Sequence, residues 1–158
     1  MRAMFLGVLT AALMASATPT FAAPIDDATV TVTSVLDKFN GGDINAFFAA
    51  HRDGALIVDE FAPFVWGGPQ SVQRWASDYD ADAKRRGIRD GRIDYGKPIQ
   101  ANSDGTSAYI VLPTTYRFTQ NGTKMAGAGS MAFVMAHELT GWKISSWIYS
   151  GATSTPER

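Results

Sequence analysis

From Arg92 to Ser150 the chain reads as strands broken by short turns, and no other feature restricts its fold so much. Ile93–Ala101, Ser107–Thr119, Lys124–His137 and Trp142–Ser150 carry the β-branched and aromatic content of strands. Between them lie only Asn102-Ser103-Asp104-Gly105, Asn121-Gly122 and Leu139-Thr140-Gly141. Asn121-Gly122 supplies two residues that tolerate positive φ, which a two-residue hairpin turn demands. Connections this short leave no room for a crossover helix, so consecutive strands should pair antiparallel.

The residues before this run follow a helical period. Ile25, Ala28, Val32, Val35 or Leu36, and Phe39 share one face, and Gly41-Gly42 ends the segment. The alternation Thr29–Thr33 also fits a strand, but the clean stop favours helix. Asp43 is placed to cap a second, short helix from Ile44 to His51. Asp53-Gly54 then turns into a short strand, Ala55–Phe61, on which Ile57, Asp59 and Phe61 share a face. Pro69 suits the first turn of a third helix whose stripe is Val72, Trp75, Ala76, Tyr79 and Ala83, ending at Gly87. Helices followed by a meander give an α+β layer: a curved antiparallel sheet with three N-terminal helices on one face.

Met1-Arg2, the apolar run Ala3–Met14 and the small residues ending in Thr20-Phe21-Ala22 read as a secretory signal, with cleavage expected after Ala22. The run is too short to anchor in a bilayer, so the expected location is periplasmic or secreted, with no membrane span. Residues 23–151 then form one domain, and the polar stretch 152–158 is expected to be a disordered tail. The formal net charge of −1 argues against nucleic acid as a partner. With no cysteine and two distant histidines, neither disulfides nor a metal site are expected, and no cofactor is called for.

The order of these elements, with Asn40-Gly41-Gly42-Asp43, Val58-Asp59 and Gly141-Trp142-Lys143-Ile144, resembles the nuclear transport factor 2-like superfamily. That group includes ketosteroid isomerases, scytalone dehydratase, limonene epoxide hydrolase and polyketide cyclases. The resemblance covers about Ile25 to Gly151. It implies a cone-shaped α+β barrel around a pocket, commonly dimeric through the sheet. It also places Asp59 on the isomerases' general-base aspartate. Their two oxyanion donors fall at Val35 and near Met131, neither of which donates a hydrogen bond. The dehydratase and hydrolase catalytic sets have no counterparts that can be placed.

Asp59, between apolar neighbours, is therefore the candidate acid or base, with His137 at the end of the Met131, Phe133, Met135 face as a candidate proton donor. Each has an ordinary alternative: Asp59 as an acceptor of backbone N–H groups, His137 as a solvated strand-end residue. Phe61, Trp66, Trp75, Tyr79, Tyr116 and Met135 are the candidate ligand-binding residues, with Trp66 as a lid. Trp75 and Tyr79 also fit as plain core. The basic cluster Lys84–Arg86, Arg89 and Arg92 reads as a solvated helix end. Three functions remain open. The first is binding of a small hydrophobic molecule in a mainly apolar pocket. The second is an isomerase, dehydratase or cyclase using Asp59. The third is a homodimerising interaction module with a filled cone.

Overall fold

The computed structural model describes residues 24–157; the expected signal peptide, residues 1–22, lies outside the described residues. Helix α1, Pro24–Asn40, buries Ala28, Val32, Val35 and Leu36 along one stripe. The short helix α2, Ile44–Ala49, starts where the Asp43 carboxylate accepts from the Ala46 amide at 3.1 Å. Strands β1, His51–Val58, and β2, Val65–Trp66, form a small hairpin ahead of helix α3, Ser71–Arg86. Gly87 closes α3 in a left-handed conformation. Strands β3, Ile88–Tyr95, β4, Gln100–Ser103, β5, Ser107–Gln120, β6, Thr123–Glu138, β7, Gly141–Gly151, and β8, Thr155–Pro156, complete the chain.

The strand order β2-β1-β7-β6-β5-β3 makes one curved, unclosed sheet, with β4 also on β5 and β8 also on β6. Neighbours β5, β6 and β7 pair antiparallel, as the short turns required, whereas β1 runs parallel to β7. Asn121 and Gly122 both have positive φ, the pattern of the two-residue turn read from the sequence. Side chains of the inner face close one end of the cone: Ile110, Leu112, Met135 and Ile144 are fully buried. Toward the other end of the same strands the inner face carries larger aromatics, and the packing opens.

Four expectations need correction. Gln70, in a left-handed conformation, precedes α3, so Pro69 lies outside the helix; the hydroxyl of Ser71 instead ties the helix start to the Ala55 carbonyl at 2.6 Å. His51 does not end α2 but opens β1, because the chain already turns at Ala50. The expected strand Ile93–Ala101 is two strands, parted at Gly96–Ile99, and the first begins straight after Gly87. A bulge at Asp90–Gly91 shifts its register against β5. Finally, the tail expected to be disordered is tied down along β6. Ala152 donates to Ala128 O at 2.7 Å, Glu157 donates to Lys124 O at 2.9 Å, and Glu157 ion-pairs with Arg117. Gly127 permits this approach, since a Cβ there would lie 2.5 Å from Ser154 Oγ.

Candidate functional site

At the open end, α1, α3 and the inner sheet face enclose a cavity of about 120 Å³. Its walls are mostly apolar: Phe39 and Leu36 from α1, Trp75 from α3, Met131, Phe133 and Trp147 from the sheet. Glu60, Arg86, Phe118 and Ser154 also border an outer groove, so the cavity opens to solvent between α3 and the C-terminal segment. A void this size admits a ligand of about one ring, and the groove gives a longer one room to extend.

Asp59 is the titratable group that stands out in this wall. Strand β1 ends at Val58, but the Asp59 amide still donates to Phe64 O at 3.0 Å, so the alternation runs one residue further and turns the carboxylate inward. Its Oδ1 accepts from the Glu60 amide at 2.7 Å and its Oδ2 from the Trp75 indole at 2.9 Å. Burial raises its pKa above the ordinary carboxylate value; the Trp75 and Glu60 hydrogen bonds pull the other way, and the charges of Glu60 and Asp82 add to the rise. An acid poised in this manner can take up or release a proton on a bound molecule.

The wall also carries a pair of phenols. Tyr79, on α3, and Tyr116, on β5, meet hydroxyl to hydroxyl at 2.8 Å, and both line the cavity. Burial raises the pKa of each, so both keep their protons. Tyr149, also in the wall, is pushed up to about 12 by burial and by the nearby Glu60 and Asp59 charges.

His51 borders the cavity too, yet it has no free nitrogen. Nδ1 lies 2.8 Å from the Phe47 carbonyl, which only accepts, so Nδ1 carries the proton. Nε2 accepts from the Trp147 indole at 3.1 Å. This fixes the neutral tautomer, and burial lowers the pKa to about 4. His51 is a structural brace between α2 and β7.

Of the residues chosen from sequence, Asp59, Phe61, Trp75, Tyr79 and Tyr116 come together in the cavity wall. Three do not. His137 sits beyond Met135 at the packed end, exposed, its ring 4.9 Å from that of Trp142. Met135 shares the inner face but belongs to the closed end, where nothing is left open beside it. Trp66 is no lid: it is 3% exposed, and its indole donates to Asp78 at 2.8 Å on α3. Sequence reasoning missed Glu60, Arg86, Tyr149 and Ser154. Tyr149 could have been found, two residues after Trp147 on the same strand face. Ser154 could not, because nothing in its polar stretch announces that the chain turns back along β6.

The architecture defines a class: a cone-shaped α+β domain, open at one end. The chain belongs to the SnoaL-like domain family of the nuclear transport factor 2-like superfamily, which it matches over residues 29–154. Solved structures agree in fold. A ketosteroid isomerase-like protein from Erwinia carotovora atroseptica superposes with a TM-score of 0.65 at 17% identity, over 84% of this chain and 99% of that one. A nuclear transport factor 2-like protein from Salmonella enterica serovar Typhimurium gives 0.67 at 15% identity, over 84% and 93%. The CaMKII hub of S. rosetta gives 0.66 at 16% identity, over 84% and 100%. A search of curated proteins by sequence gives no match.

Proposed function

We propose that this chain is an exported protein that takes a small, mainly apolar molecule into the cavity and holds it against Asp59. The observation that carries this reading is a desolvated carboxylate set in a mostly apolar wall that leads to solvent. The same observation favours proton transfer by Asp59 as a second step, giving an isomerase, dehydratase or cyclase acting on a hydrophobic substrate. The ketosteroid isomerase-like name of one neighbour is in line with that step. The apolar run Ala3–Met14 and the small residues ending in Thr20-Phe21-Ala22 support export.

The partner we propose, besides the ligand, is a second copy of the chain, paired through the outer sheet face. Two cross-strand rows there, Val58-Ile148-Ala132-Val111-Gln100 and Leu56-Ser146-Val134-Tyr109-Asn102, contain no charged side chain. Leu56 and Ile148 remain 46% and 47% exposed in the single chain.

The test is native mass spectrometry of protein purified from its own cells, followed by assay of any retained molecule as substrate. Binding without turnover supports a carrier. Turnover that Asp59→Asn abolishes while binding persists supports the proton-transfer step, and equal turnover in that variant removes it. A clean apo mass with no thermal shift across apolar compounds contradicts the whole reading.

A further inference from the structure

Gly91 is not among the residues that line the cavity, yet it packs against two that are. It lies in the β3 bulge, and a Cβ built there would fall 2.7 Å from the hydroxyl oxygen of Tyr79 and 2.7 Å from that of Tyr116. Its φ is not in the left-handed region, so glycine is needed here for space and not for backbone freedom. The bulge is itself anchored: Asn40, at the end of α1, donates to Ile93 O at 2.8 Å and accepts from the Ile93 amide at 2.8 Å. A side chain from α1 thus satisfies the free edge of β3 two residues from Gly91, and the bare Cα is fixed against the phenol pair.

Two hydroxyls facing each other hold two protons, and their mutual bond uses one. Neither oxygen is hydrogen-bonded to any other group among the described residues. One O–H therefore remains to be donated by a largely buried pair, where an unmet donor is costly.

We propose that the Tyr79–Tyr116 pair, held in place by Gly91, is the subsite for a carbonyl oxygen of the ligand, so the bound molecule is a small apolar ketone or aldehyde rather than a hydrocarbon. The inference rests on the cavity reading above. The phenol pair sets which apolar molecule is kept, by rewarding one acceptor oxygen at one place, and Gly91 is a positioning residue for that pair.

Acetophenone and α-methylstyrene test this directly, since they differ by a carbonyl oxygen in place of a methylene. The expected result is that the wild-type protein binds acetophenone roughly fivefold to tenfold more tightly, about one net hydrogen bond. Its carbonyl stretch should move to lower wavenumber when bound. Tyr79→Phe/Tyr116→Phe should bind the two compounds equally, with no carbonyl shift. Gly91→Ala should lose most of the preference while still binding α-methylstyrene, and a thermal melt would show that it folds. Equal binding of the two compounds by wild type, or an unchanged preference in the double variant, overturns the carbonyl subsite and leaves the cavity reading standing. Binding of neither compound overturns both.

Discussion

The Trp75 indole donates to Asp59 Oδ2 at 2.9 Å, joining α3 to the end of β1 across the cavity wall. Trp75 also stacks on Tyr79 and meets Trp147 edge-on at 5.0 Å, so one side chain carries both the packing and the one side-chain hydrogen bond to the candidate acid. This bond favours the carboxylate and partly offsets the desolvation that disfavours it. Trp75→Phe removes the donor and keeps a ring. The Asp59 carboxyl should then titrate at higher pH, read by carbon NMR of labelled aspartate. The stability cost should fall below the about 3–5 kcal/mol of a full truncation to Ala. An unchanged titration would mean that the indole does not set the charge state of Asp59.

Asp59 and His51 should push stability in opposite directions as pH changes. The folded-state pKa of Asp59 is raised, so the native state holds its proton more tightly than the unfolded chain does. Its contribution is therefore greatest at low pH and is lost as pH rises from about 3.8 through the folded value. Asp59→Asn should raise the melting temperature at pH 7 and cancel that slope. The folded-state pKa of His51 is lowered from 6.5 to about 4, so its contribution is complete above 6.5 and is lost as pH falls toward 4. That is worth roughly 3 kcal/mol. Urea midpoints at pH 7 and pH 4.5 should show His51→Gln less stable at neutral pH and flatter toward acid. A steeper acid loss in the variant would contradict the neutral, braced imidazole.

The C-terminal segment should depend on a glycine. Valine at position 127 would collide with Ser154 and with the Ala152 carbonyl, 3.0 Å from the added Cβ. Gly127→Val should lift residues 152–157 from β6 at a cost of about 1–3 kcal/mol. Fast hydrogen exchange at the Ala152 and Glu157 amides, both bonded to β6 in the wild type, is the readout. Continued protection there would show that the strand accommodates the side chain.

The outer sheet face should be intolerant of charge if two copies meet on it. Ile148 lies in the middle strands of the uncharged rows. Ile148→Glu should leave the melting curve of the isolated domain nearly unchanged and convert a dimer to a monomer in sedimentation velocity. A wild-type monomer at micromolar concentration, or a dimer that survives the substitution, removes the self-pairing proposal.

Much of the fold was legible because its signals are local. The Asn121-Gly122 turn, the Asp43 cap and the Gly87 stop each depend on a few adjacent residues, and all three lie where the sequence puts them. Candidate site residues were legible only where strand alternation sufficed. It took Asp59 and Phe61 into the cavity, but it cannot tell how far along a strand the hollow extends. Met135 and Met131 share one inner face, and only the packing around them separates closed core from cavity wall. His137 failed for the same reason. Trp66 failed because its partner, Asp78, lies twelve residues away on another element. The bulge at Gly91 and the return of the tail along β6 depend on contacts between distant segments, which no local pattern records.

The measurement that bears most directly on the central claim is carbon NMR of the methionine methyls during addition of α-methylstyrene or acetophenone. Met131 lines the cavity, while Met135 lies on the same strand in the closed core and serves as an internal control. The Met131 methyl should shift and saturate while Met135 moves little. Asp59→Asn should retain that response, because the apolar wall does most of the binding. No saturable shift at Met131 up to the solubility limit, or shifts confined to methionines outside the wall, would contradict the claim that this cavity holds a ligand.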